Sequence, residues 1–423
     1  WKWGKYMKPP NNDIIPQGYR MTELGALPEE WEIINIDKII DLKRGISWRK
    51  DEANKEGIGI PVIGIPNIKE NGKIDFKDTY FLTKNIPSDK MVRINDILFV
   101  GSSGSIKNIG RNVLIKEIQQ NKFTYASFTF LGRVNPLNAN TVYIFYLLNS
   151  SFVDYDKYTR RASDGKYNFQ LTQFKNEQKI PLPPLPEQQK IAAVLSAVQE
   201  AKEKTEAVIA ATKALKKSMM KHLFTYGPVS PEEVEKVPLK ETEIGPVPKD
   251  WEVVRLGEVA DVCYGKSNTK EKGNIPVFGS GGIYSSTKKA IVNYPTIIIG
   301  RKGTAGKVWL VLEPCYPSDT TFYLKWEKEI NVNFIYNFMV LNPLSGEHAK
   351  TTLPSLQKHD LIDFKIPLPP LPTQQKIASI LSAIDAKIEA EENKKKALEE
   401  LFKTLLDNLM TAKIRVNHLE VPS

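Results

Sequence analysis

The sequence is poor in the residues that usually carry chemistry. Its 423 residues include two cysteines, Cys263 and Cys315, and four histidines, at 222, 348, 359 and 418. The two thiols could pair, but so few in a chain of this length predict a reducing compartment, the cytoplasm, rather than a disulfide framework. The histidines show no metal-ligand spacing with one another or with the cysteines. No apolar run approaches the roughly 18 residues of a membrane helix. The first twenty residues lack the charged-then-apolar order of a secretory signal.

Other absences narrow the chemistry. Gly300-x-x-Gly303-x-x-Gly306-Lys307 has the wrong glycine spacing for a phosphate loop, and Val308 stands where Ser or Thr would bind Mg²⁺. Asp75-Phe76-Lys77 and Glu200-Ala201-Lys202 have the carboxylate-x-Lys spacing of some nucleases. The first has no clear second carboxylate and the second falls on an expected helix. No Asn-Pro-Pro-Tyr or Asp-Pro-Pro-Tyr of amino-methyltransferases occurs. The expectation is a chain that catalyses nothing and holds no cofactor or metal of its own. The alternatives are an enzyme with an unrecognised site and a scaffold that binds only proteins.

What is present is positive charge and repetition. The 59 Lys and Arg against 49 Asp and Glu leave a net charge of +10, which favours a polyanionic partner such as nucleic acid. Ile180–Val198 reads IPLPPLPEQQKIAAVLSAV and Ile366–Ile384 reads IPLPPLPTQQKIASILSAI, identical at 15 of 19 positions. Thr22–Trp31 (TELGALPEEW) echoes Thr242–Trp251 (TEIGPVPKDW). Between these lie weaker matches: Pro61-Val62-Ile63-Gly64 with Pro276-Val277-Phe278-Gly279, Gly101 and Gly104 with Gly300 and Gly303, and Tyr125-Ala126-Ser127 with Tyr316-Pro317-Ser318. The separations fall steadily, from 220 (22 to 242) to 186 (180 to 366). That order predicts one duplicated unit with extra residues in the first copy.

Each copy starts with a globular region. Asp96–Val100 and Thr296–Ile299 read as short strands ending in glycine loops, and Thr141–Leu148 and Val332–Leu341 as helices. The IPLPPLP segments predict stiff extended straps, because proline lacks a donor and fixes φ. Helices should then run over Glu187–Thr225 and Thr373–Thr411, each roughly 60 Å long at about 1.5 Å per residue. A heptad seam follows Ile191, Leu195, Val198, Ile209, Met219 and Leu223 in one, and Ile377, Leu381, Ile384, Ile388, Leu398, Phe402, Leu405 and Leu409 in the other. The seam turns polar at Lys202 and Thr205, and at Glu391 and Lys395.

The expected fold class is α+β: two globular α/β units separated by two long helices that pair as an antiparallel coiled coil, with a pseudo-two-fold internal repeat. The boundaries expected are 1–180 for the first unit (with a strap over 1–21), 181–225 for hinge and helix, and 226–241 for a linker. The second unit follows at 242–366, its hinge and helix at 367–411 and a tail at 412–423.

This order, the I-P-L-P-P-L-P-x-Q-Q-K-I motif heading each helix, the T-E-x-G-x-x-P-x-x-W openings and the glycine loop Ile297–Val308 resemble the specificity subunits of type I restriction–modification enzymes. The first copy departs at Gly101–Lys107, which lacks the third glycine. The resemblance implies two target-recognition domains, each reading one half of a bipartite asymmetric site in double-stranded DNA. It also implies two modification subunits carrying S-adenosylmethionine, and restriction subunits using ATP. The near-identical hinges point to partner docking on the helices, with Gln188, Gln189, Gln374 and Gln375 as candidate contacts.

Base and phosphate contacts need cationic or polar side chains on a rigid support. In the first unit the candidates are Lys43, Arg44 and Arg49, then Ser103, Ser105 and Lys107 of the glycine loop, and Arg160, Arg161 and Lys166. In the second they are Tyr264, Lys266, Arg301, Lys302, Thr304, Lys307, Lys350 and Thr351.

Overall fold

The structure, a computed structural model, describes residues 15–69, 72–118, 122–267, 271–344, 355–417 and 419. The chain divides into two compact units, with the boundaries at 203/204 and 395/396, in the middle of both long helices. One unit therefore joins the first globular domain to the start of the first helix and the end of the second. The other joins the second domain to the remaining halves.

The same framework is built twice. In the first unit a four-stranded antiparallel sheet has the order Asn112–Leu114, Asp96–Val100, Thr129–Val134, Ile40–Arg44. In the second unit the order is Val308–Val311, Thr296–Gly300, Thr321–Trp326, Ala260–Tyr264. The strands Asp96–Val100 and Thr296–Gly300 are buried at every position, as continuous apolar runs in mid-sheet should be. A second sheet carries a short parallel pair, Thr124–Tyr125 on Ile60–Ile63 in one unit and Tyr316–Pro317 on Ile275–Gly279 in the other.

Sheet register corrects two of the sequence matches by one residue. Tyr125 pairs with Ile63, whereas Tyr316 pairs with Val277, so Tyr316 occupies the place of Thr124. The N–H of Gly101 donates to the carbonyl of Phe128, and the N–H of Arg301 makes the corresponding bond to Thr320. Gly101 therefore stands where the second unit has Arg301, and Gly300 matches Val100.

The proline straps are more engaged than expected. Lys179–Leu182 pairs with Glu32–Asn35, and Lys365–Leu368 with Glu252–Arg255. Pro181 and Pro367 are tolerated because each lies in a two-stranded ribbon that leaves one side of the strand unpaired. The helices begin earlier than expected, running over Leu185–Tyr226 and Leu371–Met410. Pro186 and Pro372 fall in first turns, where a missing N–H costs no intrahelical bond. Cysteines 263 and 315 are both free thiols.

The two long helices run antiparallel within each unit. In the first, Ile191, Ala192 and Leu195 share a core with Leu409, Met410 and the partly buried Phe402 and Leu405. In the second, Met220, Leu223 and Phe224 pack with Ile377, Ala378 and Leu381. Met220 is the fully buried position rather than Met219. Leu195 and Leu381 are wholly buried, each contributing on the order of 2 kcal/mol. The polar mid-section holds Lys395 Nζ 3.0 Å from Glu206 and Lys387 Nζ 2.6 Å from the buried Glu391.

Gln188 and Gln374, named among the candidate docking contacts, are buried. Gln188 Oε1 accepts the N–H of Asn140 at 2.8 Å, and its Nε2 donates to the carbonyl of Pro183 at 2.8 Å. Gln374 repeats both bonds, with Asn331 at 3.0 Å and Pro369 at 2.8 Å. Asn140 and Asn331 in turn cap the helices Thr141–Leu148 and Val332–Leu341. Each buried glutamine thus locks strap, long helix and globular domain together. Gln189 and Gln375 remain exposed.

Candidate nucleic-acid interface

The cationic candidates gather at one end of each four-stranded sheet. There Ile40–Arg44 and Asp96–Val100 finish and Thr129–Val134 begins, with Arg44 opposite Phe130 and Val100 opposite Thr129. Immediately beyond, Ser102–Ser103 pairs with Tyr167–Phe169, which pairs with Thr159–Arg161. This small sheet brings Ser103, Arg160, Arg161 and, through the following turn, Lys166 beside the glycine loop. Sequence separation had hidden that grouping.

These side chains are not equally available. Lys43 lies 3.3 Å from Asp41 and 3.5 Å from Asp89; the hydrogen bond to Asp41, foremost, raises its ammonium above the ordinary lysine range. Arg49 is held by Asp51 and Glu52, and Lys166 by Asp164 at 3.2 Å. Arg160 donates to the carbonyls of Lys157 and Thr159. Ser103 is buried, its hydroxyl accepting from the N–H of Ser105 and from Asn108, so it shapes the loop. Ser105 and Lys107 are exposed. Arg44 lies over the Phe130 ring at 5.4 Å and Arg161 over Tyr167 at 5.9 Å, neither with a carboxylate partner among the described residues.

The second unit presents the same sheet end. Arg301 stands over Tyr264 at 5.1 Å and Phe322 at 5.9 Å, and Lys307 over Trp309 at 5.3 Å. Lys266, Lys302 and Thr304 are exposed. Gly303 and Gly306 both take positive φ, which shapes this loop. The first unit passes through a short strand and a 3-10 turn over Ile106–Asn108 before Gly110, which takes positive φ and donates to the carbonyl of Val100 as Gly306 donates to that of Gly300, so its loop is longer and its closing glycine lies beyond Lys107. Lys350 and Thr351 lie outside the described residues.

Sequence reading missed the rings that support the cations. Phe130 and Phe322 each follow a threonine at the start of a matched strand, Thr129-Phe130 and Thr321-Phe322, an echo that could have been found. It also missed Ile283 and Tyr284, 64% and 61% exposed on the strand Gly282–Thr287.

No cluster of three metal-ligating side chains occurs among the described residues. Asp75 accepts the backbone N–H of Lys77 and pairs with Lys69, so its carboxylate stabilises a turn. Burial pushes the Cys315 thiol up to about 11, away from a nucleophile's range. No described helix is long and apolar enough to cross a membrane.

Comparison with known proteins agrees with this duplicated layout. The family model for the type I restriction modification DNA specificity domain matches twice, over residues 28–211 and 248–400. The chain belongs to this family. Relatives include the MjaX and MjaVIII type I restriction enzyme specificity subunits of Methanocaldococcus jannaschii. They are 28% identical over 95% of this chain and 97% of the relative, and 29% identical over 96% and 99%. The fold matches a type I restriction–modification S subunit from M. genitalium with a TM-score of 0.63, at 20% identity, covering 90% of this chain and 96% of that one. Each match spans one globular domain and the first part of the long helix that follows it.

Proposed function

We propose that this chain is the non-catalytic subunit that gives a type I restriction–modification complex its DNA sequence, each globular domain reading one half of a bipartite, asymmetric site. The observation that carries this reading is the pair of matched sheet ends. Both present a guanidinium over an aromatic ring, yet the surrounding side chains differ, as two readers of unlike sequences require. Phosphate contacts fix position and base edges give specificity. From Thr22 to Lys179 there are 23 basic and 19 acidic residues, a difference of +4; from Thr242 to Ile366 there are 15 and 13, a difference of +2. Such small excesses leave much of the phosphate binding to partner proteins. Those partners are two modification subunits, which supply S-adenosylmethionine, and restriction subunits, which supply ATP-driven cleavage. Methylation mapping in a host expressing this chain with its modification subunit should yield one gapped, asymmetric site; methylation without sequence preference would overturn the reading.

The purified chain should neither cut nor methylate DNA in the presence of Mg²⁺, ATP and S-adenosylmethionine. Activity that co-purifies with the chain through further steps would contradict a purely reading role.

The modification subunits dock on the long helices. Leu215 and Leu401 occupy equivalent repeat positions, both 186 residues apart like Ile191 and Ile377, and are 54% and 45% exposed. Exposed Gln189 and Gln375 form a second matched pair. A Leu215→Glu, Leu401→Glu chain should fold, because neither side chain is buried, and should lose about tenfold or more in partner affinity by co-purification or calorimetry, a charge being desolvated at each contact. Unchanged affinity in both this variant and Gln189→Glu, Gln375→Glu would move the docking surface elsewhere.

A further inference from the structure

The two arginines over phenylalanine reach the same place by different routes. In the first unit the guanidinium comes from Arg44, at the end of Ile40–Arg44, and sits over Phe130. In the second unit the register puts Tyr264 in Arg44's position and Phe322 in that of Phe130. Here the guanidinium comes from Arg301, just past the neighbouring strand Thr296–Gly300, and covers both Phe322 and Tyr264. The first unit cannot use that second route. Its equivalent of Arg301 is Gly101, where a Cβ would lie 2.0 Å from Cε2 of Phe130. The second unit cannot use the first, since Tyr264 packs on Phe322 with centroids 5.0 Å apart. One cation is thus provided at one spot in both units although neither strand position carries it in both.

We propose that Arg44 and Arg301 are specificity-determining residues, each reading a guanine in its own half-site. This rests on the reading of the chain as a DNA-specificity subunit. A guanidinium held over a ring has lost part of its rotamer freedom before binding, and its fork fits O6 and N7 of guanine in the major groove. Arg44 has no carboxylate partner among the described residues and is exposed. Arg301 gives Nη1 to the carbonyl of Asp319 at 3.1 Å and is likewise free of carboxylates among the described residues. By contrast Lys43, Arg49 and Lys166 are paired with acids. In the first unit, neutralised Lys43, Arg49 and Lys166 accompany the unneutralised, ring-supported Arg44 and Arg161; of these two guanidiniums, Arg44 is the one whose place over the matched phenylalanine Arg301 shares.

The test uses the chain complexed with its modification subunits and a DNA library randomised at every position of the mapped site. Lysine keeps the charge and loses the fork. Arg301→Lys should relax one G·C pair in the half-site of the second domain by about 5- to 150-fold, leaving the other half-site and the gap unchanged. Arg44→Lys should do the same in the first half-site. Arg44→Ala and Arg301→Ala should relax the same two positions. A uniform fall in affinity over all sequences, unchanged preference, or a half-site without a required G·C pair would overturn the assignment. If the wild-type complex itself shows no sequence preference, the specificity reading fails and this assignment with it.

Discussion

Exchanging residues 242–366 for the same segment of a relative should replace one half of the recognised site and leave the other half intact. The exchanged segment starts at Thr242, the first residue of the TEIGPVPKDW opening, and ends at Ile366, which pairs with Val254 in a two-stranded ribbon. The candidate base contacts of this domain lie between these points, among them Tyr264, Arg301 and Lys307. The anchoring parts lie at its margins or outside it: Trp251 is buried against the core that contains Phe224, Ile377 and Leu381, and Gln374 receives the N–H of Asn331. A donor with an equivalent Asn and Trp should therefore seat without repacking the helices. The effect is large, because a lost half-site removes most of the gap between specific and non-specific binding, about 10³-fold or more. Methylation mapping of the hybrid reads it directly. A hybrid whose other half-site changes too would mean that the domains are not separate readers.

Some of this was legible in the residues alone. The helices Thr141–Leu148 and Val332–Leu341 and the strand Asp96–Val100 formed where short apolar runs bounded by turn residues placed them. The fate of the paired glutamines could have been read and was not. Gln188 stands three residues before Ile191 and seven before Leu195, on the seam itself, and Gln374 does the same relative to Ile377 and Leu381. A polar residue on a buried stripe needs partners, and the partners, the backbone of Asn140 and Pro183, lie in segments that only the tertiary fold brings together. The same limit applies to the candidate interface. Nothing in sequence spacing shows that Asp41 and Asp89 neutralise Lys43, or that Ser103 is consumed by its own loop. The off-by-one matches at Gly101 and Tyr316 arose because similar residue types, glycine and tyrosine, were aligned where hydrogen-bond register decides the true equivalence.

Removing one heptad from each long helix should change the gap between half-sites without changing either half-site sequence. The segments to remove are Lys202–Val208 and 394–400, which face one another through Lys395 and Glu206 and leave the exposed Leu215 and Leu401 in place. Both are mostly charged or polar, losing only Leu398 from the apolar seam, and lie away from the cores that hold Leu195 with Leu409 and Leu223 with Leu381. Seven residues make one full repeat, so the seam phase survives: Val198 is followed by Ile209, and Glu391 by Phe402 in the place of Lys395. The connection shortens by about 10 Å at roughly 1.5 Å per residue. That is about three base pairs at about 3.4 Å each, and three base pairs turn one half-site by roughly 100° relative to the other, given about 10.5 per turn. The shortened protein should therefore either select a gap smaller by a few base pairs, with bending of the DNA to recover the face, or bind the original site at least about tenfold more weakly, since a misplaced half costs several contacts at once. Selection from a library with randomised gap lengths separates these two results. Circular dichroism and partner co-purification show whether the variant is folded. A folded variant that keeps both its original gap and its original affinity would mean that the helices connect the readers but do not measure the distance between their targets.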